Sequence, residues 1–380
     1  MRIVHVVPYQ LHPYSGVYTA IVGLACALAR AGERTEVWNL SPWPGGTEEL
    51  VDGLDEAGVT RRELPTSSRS WSLSPDARRI VDEELTAADV VHLHSAFSPQ
   101  NNLLARRVNG PLVLSPHGVL LPGSMGRSRR RKQLYRRLIE LPTLRQMTAV
   151  CALTEDEAAE VRAFGYPGRI EVLPNGVPDP LLDVDAGALR SGLGIDPSAR
   201  IGLYVGRIQI EHKRLDAVAR AVAAVPGWHL VLVGSDHGGD AHRLTSMVAS
   251  LAGAERIHFE GPRRGRRLAE AFAGADAFLL MSHSEGMSMA LLEALSYGLP
   301  AVVSPEVEAA LPVAEAGAGW ATAPAGLTGL LETLTRPGGR EGELRRAAAR
   351  RLVADQRWEA VAEGYAGLYR DVAATQGVAR

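Results

Sequence analysis

Cysteine is almost absent from the chain. Only Cys26 and Cys151 occur among 380 residues, each inside an apolar run. That excludes a disulfide-stapled scaffold and points to buried free thiols in a reducing compartment. Long hydrophobic runs are also missing, and nothing reaches the roughly 18 apolar residues of a membrane-spanning helix. The opening MRIVHVVPY is too short and too soon interrupted for a secretory leader. A cytoplasmic protein is expected. Neither sign of charge dominates, since 41 Lys and Arg face 43 Asp and Glu, for a net charge of −2. There is thus no global pull toward nucleic acid or acidic membranes. No low-complexity segment or short repeat appears.

A soluble composition is present instead, with 46% hydrophobic and 22% charged residues. The length exceeds one ordinary core, so two domains are expected. The first 40 residues read as strand, loop, helix, strand: RIVHVVPY, then HPYSG, then VYTAIVGLACALARAG ending at Gly32, then TEVWNL. This βαβ unit implies a parallel sheet covered by helices. Strand-like runs recur at 89–95, 111–118, 147–154 and 169–176. A Pro-, Gly- and Asp-rich stretch, VPDPLLDVDAGALRSGLGIDPSAR, then breaks the pattern and marks a domain boundary. A second series follows at 200–208, 228–235, 256–262, 277–284 and 300–304, and 358–376 has the spacing of one long helix. The expected fold is α/β, with two Rossmann-like halves, 1–178 (joined by 358–380) and 179–357. Parallel sheets bind ligands beyond the carboxyl ends of their strands. Gly16, His117, Asn175, Arg207, Gly234 and Glu285 all follow strands, and two such edges facing one another would make an interdomain site.

Two stretches carry chemistry. In YVGRIQIEHKRLD, Arg207 and Lys213 follow a strand that ends at Gly206. A guanidinium fork and a mobile ammonium together suit a diphosphate; a pair of surface cations is the plain alternative. In SEGMSMALLEALSYGLP, Glu285 precedes Gly286, and a helix is expected to begin near Met287 or Ser288. Free N–H groups and the dipole at that helix start favour an anion, and Gly286 lets a ligand approach the backbone. Were the whole stretch helical, Glu285 and Glu293 would sit about 80° and roughly 12 Å apart. With Glu285 in a loop, both acids can reach one ligand, and carboxylates accept well from sugar hydroxyls. Pairing with arginines in a structural network is the alternative.

At this point the sequence resembles the GT-B glycosyltransferases, most closely the retaining family GT4. Glu285 to Glu293 is similar to that family's E-x7-E element, and SPHG, LPNGV and GRIQIEHK follow in family order across nearly the whole chain. The resemblance implies an enzyme with a nucleotide-diphosphate sugar as co-substrate, no cofactor and no metal. It implies that Arg207 and Lys213 clamp the donor diphosphate. Glu285 would lie by the reacting sugar and Glu293 would accept from the donor ribose. The backbone at Gly286, Met287, Ser288 and Met289 would hold the distal phosphate and sugar. Gly16, Gly206, Gly234 and Gly261 complete the implied donor site. His117 is implied beside the transferred sugar, and Tyr14, His94, His117 and Asn175 form the implied acceptor set. Retention by front-side attack rests on the resemblance alone. Two departures stand out: Ser15-Gly16 replaces a pair of glycines, and Arg214 replaces the usual glycine after the clamp lysine.

Other signals are discounted. Asp183-Val-Asp185 looks like a metal-binding D-x-D but lies in the linker. His92 and His94 alternate on a strand and lack evident further ligands for a metal, so buried structural histidines are expected. His237 sits in a Gly-rich loop. GRSRRRKQLYRR (126–137) holds seven cations, and Leu134, Leu138 and Leu141 give the 126–141 stretch an amphipathic helical pattern. It is open between a solvated basic face, a peripheral membrane contact and a site for a phosphorylated acceptor. Tyr135 is its only aromatic, which argues against RNA.

The expected function is retaining transfer of a hexosyl or N-acetylhexosaminyl group to an acceptor hydroxyl. UDP is the default base, with GDP and dTDP behind it. The acceptor is a small molecule, a polysaccharide or a lipid-linked glycan. The competing readings are an epimerase or hydrolase on the same fold, and a non-catalytic nucleotide-sugar-binding subunit.

Overall fold

The computed structural model describes residues 1–8, 14–40, 43, 48–64, 73–120, 135–334 and 339–377. The chain divides into two compact units, Met1–Gly176 with Gln356–Arg380, and Val177–Asp355. Each is built on one wholly parallel sheet.

In the first unit the strands are β1 (Arg2–Val7), β2 (Arg34–Asn39), β3 (Thr60–Glu63), β4 (Val90–His94), β5 (Leu112–Ser115), β6 (Ala149–Ala152) and β7 (Arg169–Val172). They lie in the order β3-β2-β1-β4-β5-β6-β7. The sequence explains the middle of this sheet. RIVHVV and VVHLH are rich in β-branched residues and lack the polar alternation of a half-exposed strand, as helices on both faces require. All five residues of β4 are buried, its two histidines included. Trp38 is fully buried, and its indole N–H donates to Glu36, which Arg2 neutralises at 2.8 Å. That bond spares the core an unpaired donor.

Helix α1 (Gly16–Arg30) lays its apolar face on this sheet. The terminal helix Trp358–Gly377 packs on α1 within the same unit. Trp358 explains why two glycines stand where they do. A Cβ on Gly23 would come within 2.3 Å of the Trp358 ring, and one on Gly176 within 2.4 Å. Tyr365 and Tyr369 of the terminal helix are also buried.

In the second unit the strands are β8 (Arg200–Val205), β9 (Trp228–Val233), β10 (Ile257–Phe259), β11 (Ala277–Leu280), β12 (Ala301–Val303) and β13 (Gly319–Ala321). Their order is β10-β9-β8-β11-β12-β13. Trp228 anchors the core and donates its indole N–H to Leu331 O at 3.0 Å. Both sheets reverse strand order at one place, between β1 and β4 and between β8 and β11. Ligands of doubly wound sheets sit outside the strand ends at such switch points.

Two strands had no apolar signature. β3 reads TRRE and is an edge strand exposed along most of its length. β13 is three residues long at the other sheet's edge. Both thiols are free and buried. No helix among the described residues is long and apolar enough to cross a membrane. Most of the cations of the basic stretch 126–141 fall at 126–134, outside the described residues. Of the remainder, Arg136 donates to Ala163 O at 2.8 Å and stacks over Phe164 at 4.3 Å, so it packs on the protein. Leu138 is 63% exposed.

Candidate functional site

In the second unit, the carboxyl ends of neighbouring strands bring three glycines together. Gly234 N–H donates to Gly261 O at 2.8 Å, and Gly206 N–H donates to Val233 O at 2.9 Å. A Cβ on Gly234 would fall 1.7 Å from Gly206 O, so only glycine allows these two turns to touch. The chain then enters the short helix Ile210–Lys213. Asp240, itself buried, accepts from the Ile210 N–H at 2.9 Å and fixes the start of that turn. Arg207 is exposed, and the Tyr204 hydroxyl holds its carbonyl at 2.8 Å.

Lys213 leaves this turn and meets Glu285 directly; the side chains are 13% and 14% exposed. Glu285 lies in the loop after β11, not in a helix. Ser282 also donates to its Oε1, at 2.6 Å. Ser304, beyond β12, donates to Ser282 O at 2.6 Å and ties the loop down. Gly286 and Met287 continue the loop, and the helix Met289–Ser296 starts one or two residues later than its sequence suggests. Ser288 is the N-cap and accepts from Leu291 N–H at 3.4 Å. The first N–H groups of a helix have no acceptor in a preceding turn, and here Ser288 takes up that of Leu291. Glu293 lies one turn further along, half-buried, and burial pushes its carboxyl up to about 7, with Arg264 acting against that rise.

Arg214 follows Lys213 in the left-handed region, at φ 51°. An L-residue with a Cβ is held there at a cost of about 1 kcal/mol. Its guanidinium reaches His283 Nδ1 and Glu306 Oε1, both at 2.7 Å. His283 N–H in turn donates to His212 O at 2.9 Å, which joins the Lys213 turn to the Glu285 loop.

The first unit places a second group beyond the carboxyl ends of its strands. Gly16 opens α1 and is exposed, with Tyr14 in the turn before it. His94 ends β4 and is buried; His94 Nδ1 lies 2.9 Å from His117 Nε2. His117 is half-buried two residues beyond β5. Asn175 is buried beyond β7. Ser95 (φ 67°), Phe97 (φ 57°) and His117 (φ 56°) have positive φ, and with Arg214 they are the only such non-glycine residues among those described. Backbone strain of this kind collects at functional edges, where surrounding bonds over-determine it. Those bonds are visible. Asn101 donates to His94 O and Ser95 O at 2.9 and 2.8 Å, and Glu140 accepts from Phe97 N–H at 2.9 Å. Glu157 accepts from Leu153 N–H at 2.7 Å and from Gly118 N–H at 2.5 Å. The sequence does not single out Glu140 or Asp240, because each accepts from loop backbone far away in the chain, or Asn101 and Ser282, whose local bonds leave no pattern. Glu157 had a signal, since Thr154 to Glu157 is a capping box in which Thr154 accepts from Glu157 N–H.

The discounted aspartates and His237 are tied up in local turns or face solvent. Asp185 caps Gly187 N–H and Asp183 is fully exposed. Asp236 closes a turn onto Gly239 and Ala241, with His237 exposed inside it. His92 and His94 are joined by His5 from β1, a third imidazole that the sequence did not bring to them.

Residues 14–179 match Glycosyltransferase Family 4, and residues 186–335 match Glycosyl transferases group 1. A protein of Actinosynnema mirum named D-inositol 3-phosphate glycosyltransferase is 30% identical over 319 residues, 76% of this chain and 75% of that one. The chain belongs to the group 1 glycosyltransferases. A protein of the same name from Segniliparus rotundus is 28% identical and spans 93% of this chain and 84% of its own. Anabaena Alr3699/HepE, solved in complex with UDP and glucose, superposes with a TM-score of 0.78 at 17% identity, covering 98% of this chain and all of that one. The fold of this glycosyltransferase is GT-B.

Proposed function

We propose that this group 1 glycosyltransferase moves a hexosyl or N-acetylhexosaminyl group from a nucleotide-diphosphate sugar to an acceptor hydroxyl, with retention of configuration. The observation that carries the reading is the Lys213–Glu285 pair beside the N-terminus of the helix Met289–Ser296, at the switch point of the second unit. A cation, a helix N-terminus and a carboxylate are the partners that a diphosphate and an attached sugar need together.

In the transfer step, the bond between sugar C1 and the diphosphate oxygen breaks, and its electron pair stays on that oxygen. Arg207, Lys213 and the helix N–H groups stabilise the developing charge, with no metal required of the chain's own residues. The acceptor oxygen bonds to C1 on the face the diphosphate leaves. Its proton passes to the departing phosphate. Glu285 holds sugar hydroxyls once Lys213 turns to the phosphates, and Glu293 accepts from the ribose. Tyr14, His117 and Asn175 form the acceptor edge of the first unit; His94, expected in that set, is buried with both ring nitrogens engaged and acts from behind His117.

HepE was solved with UDP, which supports UDP ahead of GDP and dTDP. The names of the Actinosynnema and Segniliparus relatives support a small hydroxylated acceptor ahead of a polysaccharide or lipid-linked one. The test is a panel of UDP-, GDP- and dTDP-sugars, read by thermal shift and by release of nucleoside diphosphate. At least one should raise the melting temperature and be turned over slowly without acceptor. Stabilisation without any nucleotide release would favour the non-catalytic binder. No stabilisation by any donor would overturn the reading.

A further inference from the structure

Imidazoles on adjacent strands form a hydrogen-bonded ladder that ends at the acceptor edge. His5 on β1 is fully buried and His94 on β4 is 1% exposed. His5 Nδ1 lies 3.1 Å from His94 Nε2, and His94 Nδ1 lies 2.9 Å from His117 Nε2. The rings stack as they climb, with centroids 5.4 and 5.2 Å apart. His92 stands beside the ladder with both nitrogens engaged, by the Tyr369 hydroxyl at 2.6 Å and by Ser115 Oγ at 2.9 Å.

Burial disfavours the charged form of every one of these rings. It takes His5 to about 3, His117 to about 4, and His92 and His94 well below the ordinary value. Each ring is therefore neutral and carries one N–H. Two arrangements remain. In the first, every N–H points from His5 toward His117, and His117 carries its proton on Nδ1, the nitrogen outside the ladder. In the second, every N–H points inward, and the last proton sits on His5 Nε2. That nitrogen is buried and has no hydrogen-bond partner. A buried N–H without an acceptor is the rarer and costlier orphan, so the first arrangement wins.

We propose that the ladder from His5 through His94 fixes His117 with its proton on Nδ1, so that His117 meets substrate as a hydrogen-bond donor and not as a base. His5 and His94 are then positioning residues. That His117 faces substrate rests on the proposed transfer; the tautomer itself rests on the ladder alone. The same three rings, His5, His92 and His94, place one nitrogen each within 4.8 Å of the others, and no Cys, Asp or Glu joins them among the described residues. Of their six nitrogens, five are hydrogen-bonded and only His5 Nε2 is not. A cation would have to break that network, so the ladder is preferred to a metal site.

The test is the ring-nitrogen spectrum of protein labelled with ¹⁵N-histidine, with His117 assigned by its loss in His117→Gln. Wild type should show His117 protonated on Nδ1. His5→Leu should give a tautomer mixture and about a tenfold lower kcat with little change in donor KM, the loss of one oriented hydrogen bond. His5→Asn, whose amide nitrogen sits near the place of Nδ1, should restore both. A wild-type spectrum with His117 protonated on Nε2 overturns the inference. So does stoichiometric zinc binding that moves the signals of His5, His92 and His94 together. Should His5→Leu not fold, the wild-type spectrum still decides, and it does so whether or not any nucleotide sugar is turned over.

Discussion

Lys213 donates to Glu285 across 72 residues of sequence, and each shields the other from solvent. Without donor, this contact keeps either charge from being left partly buried and alone. On the proposed transfer it would also set the order of events: a diphosphate taking the ammonium would free the carboxylate for the sugar, so donor binding itself would prepare Glu285.

One consequence concerns stability. Lys213→Ala strands Glu285 with Ser282 as its remaining hydrogen-bond partner and should cost about 1–3 kcal/mol, scaled down from a fully buried pair because both groups retain some solvent. Lys213→Ala combined with Glu285→Ala should regain most of that loss. Urea midpoints of the two variants check this. A double variant less stable than Lys213→Ala would show that the two charges are independent.

Glu293 should make donor binding depend on pH. Its carboxyl is pushed up to about 7, so without donor it is half protonated near neutrality. Ribose hydroxyls bind best to the carboxylate. Affinity for UDP should therefore fall as pH drops from about 8 to about 6, by up to tenfold per pH unit. Calorimetric titration should show this in wild type and a flat profile in Glu293→Gln. An identical slope in both would remove Glu293 from the ribose site.

Arg214 separates two effects at one position. Arg214→Gly relieves the positive φ and loses the contacts to His283 and Glu306, which nearly cancel because Glu306 is 44% exposed. Arg214→Ala loses the contacts and keeps the strain. The glycine variant should be about 1 kcal/mol more stable than the alanine variant. Equal denaturation midpoints would mean that the backbone at 214 carries no strain.

Acid should loosen the first unit. The folded values of His5, His92, His94 and His117 are depressed below 6.5, so below that pH the unfolded chain binds protons that the folded one refuses. Stability is then lost as pH falls. Glu140 works the other way, because its carboxyl is raised to about 7 and the folded state holds the extra proton between about 4.5 and 7. Four imidazoles against one carboxyl leave three protons. The slope is at most about 4 kcal/mol per pH unit between roughly 4.5 and 6.5. Urea unfolding at pH values on either side of 6 should show it, and His5→Leu should be less steep. A pH-independent midpoint over that range would contradict it.

Much of this architecture is legible in the sequence, and the reason is physical. Strands buried on both faces, such as RIVHVV and LVLV, announce themselves by largely apolar runs rich in Val, Ile and Leu. Edge strands such as TRRE bury little and leave no such trace. Arg207, Lys213, Glu285 and Glu293 lie within two short segments, 206–213 and 285–293, so their grouping is readable from spacing; Gly16, Gly234 and Gly261 lie outside them. His5 and His94 meet only because β1 and β4 are neighbours in the sheet, 89 residues apart in sequence. Glu140 looks like one more polar residue on a basic helix until the fold turns it onto Phe97 N–H. Contacts of that kind are properties of topology, and local pattern does not contain them.

The central claim is that Lys213 serves the departing diphosphate. The most direct measurement is nucleoside diphosphate release under saturating donor, with wild type and Lys213→Ala compared on whichever nucleotide sugar the panel identifies. Loss of a preorganised charge at the leaving group should lower kcat at least about a hundredfold while donor KM moves far less. A Lys213→Ala enzyme that turns over within a few-fold of wild type would contradict the account.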